Sequence, residues 1–127
     1  MKLDLDRHGD HLHVRAYGEG WIEIGEHTLR ESCLLLPHQV LPNWRPQRFE
    51  DLVAADLAAL AEHAPEIVLL GTGARLRFPP QGWIVPLHAA GIGCEVMGTG
   101  AACRSFNILA SDGRRVLAAL FPIEAGG

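Results

Sequence analysis

The sequence has no excess of positive charge, no long apolar run and no paired cysteines, and each absence removes a class of function. Lys and Arg number 11 against 15 Asp and Glu, giving a formal net charge of −4. A domain that holds nucleic acid by charge alone carries a clustered basic excess, so no nucleic-acid partner is expected. No stretch approaches the roughly 20 uninterrupted apolar residues of a membrane-spanning helix, so no membrane insertion is expected. Residues Met1 to Arg7 alternate charge with leucine and lack the apolar centre of a signal peptide, which points to the cytoplasm. Cys33, Cys94 and Cys103 are an odd number without a CxxC pair. Neither a disulfide framework nor a zinc knuckle is signalled, and reduced thiols are expected. No internal repeat or low-complexity tract interrupts the chain.

What is present is globular. Hydrophobic residues make up 48% of the 127 and charged ones 20%, far from the composition of disordered chains. A chain of this length buries roughly two-thirds of its unfolded surface, enough for one core, so residues 1–127 are expected to form one domain.

Alternation of polar and apolar residues over His11–Tyr17 and Trp21–Ile24, around Gly18-Glu19-Gly20, predicts a hairpin with one buried face. The continuous run Ser32–Leu36, stopped by Pro37, predicts a fully buried strand. Residues 37–46 hold three prolines around Trp44 and are expected to form an ordered connection pinned by that ring. Phe49, Leu52, Val53, Leu57 and Leu60 recur at helical spacing up to Pro65, with Glu50, Asp51, Asp56 and Glu62 solvating the other faces. Strand Ile67–Leu70, a helix over 81–90 whose regular part starts near Trp83, strand Ile92–Met97, a helix capped by Thr99 and running to about Ala110, and strand Arg115–Ile123 complete the series. Strands first, then helix and strand in alternation, imply an α/β fold with a parallel portion and helices over its faces.

Gly71-Thr72-Gly73 after a buried strand invites a phosphate-loop reading, but position 76 is Leu rather than the third glycine and the Walker Lys-Ser/Thr pair is missing. A tight turn, or a ligand edge at the carboxyl end of a parallel strand, remains. Cys103 and Arg104 fall in the first turns of the last helix, where dipole and cation would favour a thiolate, although no histidine follows His88 to serve as its base. Packing of a small buried residue is the plainer reading of Cys103, and pairing with Glu95 or Asp112 that of Arg104. Asn107 lies one turn after Cys103 and can share a pocket wall or a buried hydrogen bond with it. His11 and His13 share one strand face, and with His8 suggest zinc only if a third ligand converges; none is identifiable, so no metal is expected. His38, His63 and His88 stand singly. Trp21, Trp44 and Trp83 suit either a cleft or core anchors.

Tyr17-Gly18-Glu19-Gly20-Trp21-Ile22, Trp44, Leu69-Leu70-Gly71-Thr72-Gly73, Gly91-Ile92-Gly93-Cys94-Glu95-Val96-Met97 and Thr99-Gly100-Ala101-Ala102-Cys103-Arg104-Ser105-Phe106-Asn107, with Leu109, Arg114 and Arg115, closely resemble the Mth938-like family over about residues 10 to 123. The resemblance implies a compact three-layer α/β domain with a central mixed sheet and flanking helices. It implies no established catalytic activity and no cofactor. Eukaryotic members of that family look like assembly helpers for respiratory complex I acting with a partner factor, whereas bacterial members have no settled role. The matched positions Gly71, Thr72, Gly73, Thr99, Cys103, Arg104 and Asn107, with Trp44, would form the shared surface or pocket. Asp112 stands where the family pattern has glutamate, and Gly98 where it has an acidic residue; the loss of that carboxylate makes acid/base chemistry at the helix start less expected.

The expected function is therefore a non-enzymatic binding or assembly module with a protein partner, assisting maturation of a respiratory or other membrane-associated complex, monomeric or weakly self-associating. The alternatives are a small-molecule or anion-binding protein using the Gly71–Gly73 turn and the amides near Thr99, and a thiol-dependent enzyme using Cys103.

Overall fold

A computed structural model describes residues 11–125; the His8 position of the histidine group lies outside them. Three neighbouring strands set the architecture: β4 (Cys33–Leu36), β6 (Ile67–Gly71) and β8 (Val116–Leu120). Successive side chains on a strand face opposite ways, and here both faces are apolar. Cys33, Leu35, Leu69, Ala118 and Leu120 enter one core, while Leu34, Val68, Leu70, Leu117 and Ala119 enter the other. All five residues of β8 are buried because it lies in the middle of the sheet and is covered on both sides.

The sheet runs β5-β4-β8-β6-β7, with β5 spanning Gln39–Pro42 and β7 spanning Gly93–Met97. Strand β6 is parallel to β7 and β8, and β4 is antiparallel to β5 and β8. One core is roofed by helix α3 (Thr99–Ser111) and by a three-stranded antiparallel sheet of β1 (Val14–Gly18), β2 (Trp21–Ile24) and β3 (His27–Leu29). The other lies under α1 (Ala54–Ala58) and α2 (Val85–Ala89), with Leu57, Leu60 and Leu87 fully buried. The expected mixed sheet with flanking helices is the observed fold.

Two expectations are corrected. The helix over 49–60 is interrupted: a 3₁₀ turn at Phe49–Asp51 ends in extended backbone at Leu52, α1 begins at Ala54, and a second 3₁₀ segment, Ala59–His63, follows. Leu52, Leu57 and Leu60 are still buried, because their spacing keeps them on one side without a continuous helix. Asp56 restarts the helix. Its carboxylate accepts the Val53 amide at 2.9 Å and is gripped by Arg45 at 2.7 and 2.6 Å. Those hydrogen bonds from Arg45 outweigh burial and hold the Asp56 carboxyl below its usual range, so this side chain is a buried ion-pair member rather than part of a solvated face.

Residues 37–46 are not only a connection: Gln39–Pro42 forms edge strand β5. An edge tolerates Pro42 because one side of the strand needs no ladder donor. In the helix over 81–90, a 3₁₀ turn at Gln81–Trp83 precedes α2, and Pro86 sits in the first turn of α2, where the missing amide costs nothing.

Asn107 fastens the small sheet to α3. Its Oδ1 accepts the Val14 amide and its Nδ2 donates to the Val14 carbonyl, each at 2.9 Å, where the β1–β2 register shifts between Val14 and Ala16. The side chain thus completes the strand where the ladder slips. It bonds β1, not Cys103. Asn107→Ala should cost about 1–3 kcal/mol of stability, since both backbone groups lose their partner. Urea denaturation should show a lowered midpoint, and amide exchange should quicken first in β1.

Candidate functional site

Four of the residues singled out by the sequence, Gly71, Thr72, Gly73 and Thr99, gather at the carboxyl ends of β6 and β7, engaged within the chain. The Thr72 amide donates to the Met97 carbonyl at 2.9 Å, and its hydroxyl donates to the Arg75 carbonyl at 2.5 Å. The Gly73 amide donates to the Thr99 hydroxyl at 2.8 Å, which itself donates to the Phe121 carbonyl at 2.5 Å. Thr99 is therefore not the cap of α3. Gly98 holds that position, and Thr99, the first helical residue, reaches across to two strand ends.

Gly73 requires glycine for its backbone, and a side chain there would displace a carboxylate. Its φ is +97°, and an added Cβ would lie 1.8 Å from Oε1 of Glu124. That carboxylate accepts the Ala74 amide at 3.2 Å and lies 3.7 Å from Arg77. The amides that could have received an external anion here are already bonded to Thr99 and Glu124.

Arg77 anchors the loop that follows. Its guanidinium donates to Glu50 at 2.8 Å and to the Thr72 carbonyl at 3.2 Å, and sits 4.6 Å above the Phe49 ring. The hydrogen bond from Arg77 holds the exposed Glu50 carboxyl below its usual range. Its neighbours turn the other way: Leu76 is 53% exposed and Phe78 70%. Sequence reading takes the stretch through Arg75, Arg77 and Pro79-Pro80 as a loop without a role, and passes over Glu124. The only signal was the alternation Leu76-Arg77-Phe78, too short to separate from ordinary coil.

The remaining candidates lie elsewhere. Cys103 is buried in the core under α3, and burial pushes its thiol up to about 12 despite the neighbouring Arg104. Desolvation outweighs the cation expected to create a thiolate. Arg104 pairs with neither Glu95 nor Asp112; its Nη1 donates to the Tyr17 hydroxyl at 2.5 Å. The Tyr17 ring lies against Gly100, where a Cβ would come within 2.7 Å of the hydroxyl, and the Trp21 ring covers Gly18 in the same way. Trp44 is buried against Phe121, their ring centres 5.3 Å apart, and presents no surface patch. Trp44 and Trp83 border one core, whereas Trp21 lies on the hairpin, so the three build no common cleft. The His11 and His13 rings are 4.2 Å apart, and among the described residues no group of three ligands suits a metal.

Two outcomes follow from this geometry. Gly20, with φ +79° and open space around it, should lose ~1 kcal/mol as Gly20→Ala from backbone strain alone. Gly73→Ala also pushes Glu124 off the Ala74 amide and should cost ~1–3 kcal/mol, read as the difference between their denaturation midpoints. Iodoacetamide at pH 8 should leave Cys103 unmodified in the folded protein and alkylate it in urea, as peptide mass mapping would record.

The sequence profile described as Protein of unknown function (DUF498/DUF598) matches residues 14–121. An uncharacterized protein of Rhodobacter capsulatus is 38% identical over 112 residues, covering 88% of this chain and 86% of that one. The NADH dehydrogenase [ubiquinone] 1 alpha subcomplex assembly factor 3 of Danio rerio is 33% identical over 115 residues, covering 89% of this chain but only 66% of the relative. The solution structure of a Bordetella pertussis protein described as a Mth938-like domain superposes with a TM-score of 0.79 at 34% identity, covering 98% of this chain and 94% of that one. With profile, relatives and fold in agreement, the chain belongs to the DUF498/DUF598 family and has the Mth938-like fold.

Proposed function

We propose that this protein is a non-enzymatic protein-binding module that assists the assembly of a multi-subunit complex, docking through the loop that carries Leu76 and Phe78. The observation behind this reading is the contrast within three residues: Arg77 is held at four points, while the two large apolar side chains beside it are turned to solvent. An ordered loop displays an apolar anchor without the entropy cost of fixing it on binding, and a few such anchors supply most of the energy of a protein interface. A respiratory complex of the kind named for the assembly-factor relatives is the proposed client. Arg75, exposed beside Leu76, suits a partner with a carboxylate next to its apolar groove. No helix among the described residues is long and apolar enough to cross a membrane; a cytoplasmic module, monomeric or weakly self-associating, is part of the proposal.

The other readings draw less support. An anion at the Gly71–Gly73 turn would have to displace Glu124 from the Ala74 amide, and a nucleophile at Cys103 would need both exposure and a lowered thiol pKa.

Affinity capture with the wild type, Phe78→Ser and Arg104→Ala tests the proposal. A respiratory-complex subunit or companion assembly factor retained by wild type should be lost by at least about tenfold with Phe78→Ser, whose side chain supports little of the fold. Arg104→Ala should retain it while melting at a lower temperature. Equal capture by Phe78→Ser and wild type would remove the loop from the interface.

A further inference from the structure

The opposite end of the parallel strands is open where the Gly71–Gly73 end is closed. A cleft of about 650 Å³ lies at the amino ends of β6 and β8, between the β4–β5 turn and the end of α3. This is within the usual size range of small-molecule sites. Its floor is apolar, with Pro65, Ala110 and Val116 buried. Its rim is basic: His38, His63 and Arg115 line it, and no Asp or Glu does, in a chain whose formal net charge is −4. The three residues come from separate segments, so their convergence is a product of the fold.

The two arginines of the rim differ. Arg114 is neutralised by Glu66, with Nε 3.1 Å from its carboxylate. That carboxylate also accepts the Arg115 amide at 2.8 Å, but the Arg115 guanidinium spends only its Nε, on the Ala64 carbonyl at 3.3 Å. Both terminal nitrogens of Arg115 therefore have no hydrogen-bond partner among the described residues, in a side chain whose direction is fixed at its base. Neither His38 nor His63 makes a hydrogen bond among those residues. His11, also in the lining, is different: its ring bonds the Leu12 carbonyl at 2.8 Å and Ser111 at 3.1 Å and serves as wall.

We infer that this cleft is a binding site for a small organic anion, with an apolar body over Pro65, Ala110 and Val116 and a carboxylate or phosphate group against Arg115, His38 and His63. The terminal nitrogens of Arg115 supply the planar pair of donors that such oxygens accept. An apolar floor with a few convergent polar groups is the usual composition of a ligand site. The site is independent of the loop at Leu76 and Phe78, which lies beyond the other ends of the same strands.

The test uses three probes: octanoate for a fatty carboxylate, phenyl phosphate for a phosphate ester, and inorganic phosphate as an anion without an apolar body. Amide chemical shifts and calorimetric titration should show octanoate or phenyl phosphate saturating one site, with shifts confined to residues 36–39, 63–66 and 110–116. The tighter of the two names the ligand's source. Inorganic phosphate should bind at least about tenfold more weakly. Arg115→Gln should weaken the preferred probe by about tenfold or more, the equivalent of one charge-assisted hydrogen bond. His63→Glu, at a half-buried ring with no hydrogen bond to lose, should do so through like-charge repulsion while the protein stays folded. Phe78→Ser should leave the affinity unchanged. The proposal is overturned if neither organic probe saturates, if the shifts fall at residues 74–85, if inorganic phosphate binds as tightly, or if folded Arg115→Gln and His63→Glu both bind like wild type.

Discussion

The hydroxyl of Thr99 is the point on which the carboxyl end of the sheet depends. It is fully buried, accepts from Gly73 and donates to the Phe121 carbonyl, while the Thr99 amide donates to the Gly73 carbonyl. One residue thus joins the end of β6, the start of α3 and the end of β8. The close approach requires Gly71, where a Cβ would meet Leu120, Thr99 and Ala102 at 3.0–3.2 Å. In open α/β sheets the crevice beyond the carboxyl ends of the strands usually holds the ligand. Here the chain fills that position with its own hydroxyl and, through Glu124, with its own carboxylate. Glycine at 71 and 73 serves close packing and a left-handed turn rather than access to a phosphate.

A closed strand end is a firm base for the loop that leaves it. Arg77 reaches back to the Thr72 carbonyl and across to Glu50 and Phe49, linking the turn to the segment before α1. Surface ion pairs contribute little stability on their own. Their value here is positional: with the Arg77 amide and guanidinium both held, the backbone between Leu76 and Phe78 is tied to the body while the two side chains face water. Binding residues are disproportionately carried on loops held by a rigid scaffold, and that is the arrangement the proposed docking uses.

The strands of the central sheet were legible because burial on both faces makes β4, β6 and β8 continuous apolar runs, and α3 because its spacing is helical over 13 residues. The break after Asp51 was not legible. Leu52, Leu57 and Leu60 keep helical spacing through it, and periodicity records which side is buried, not whether the backbone is continuous. β5 was hidden by Pro42, which an edge position tolerates. In the candidate site the tertiary partners were invisible: Glu124 lies 51 residues after Gly73, and Tyr17 lies 87 before Arg104. Local arguments therefore assigned Arg104 to nearby carboxylates, when a tyrosine 87 residues away takes it, whereas Cys103 packs as the small buried residue of its plainer reading.

The residues that carry the family resemblance are mostly those that hold the layers together. Tyr17 lies on Gly100 and bonds Arg104, Trp21 covers Gly18, Asn107 completes β1, and Thr99 closes the strand ends. A match in these positions transmits the docking of the small sheet on α3 and the closure of the Gly71–Gly73 turn, which are properties of the fold. Leu76 and Phe78 lie outside them, in a loop whose backbone the matched Thr72 ties down. Arg115 is the exception among the matched residues, because its backbone amide and Nε are used by the fold while its terminal nitrogens are left over. Structural duty and recognition can share one side chain when they use different atoms, and an arginine anchored at its base and open at its tip is suited to both.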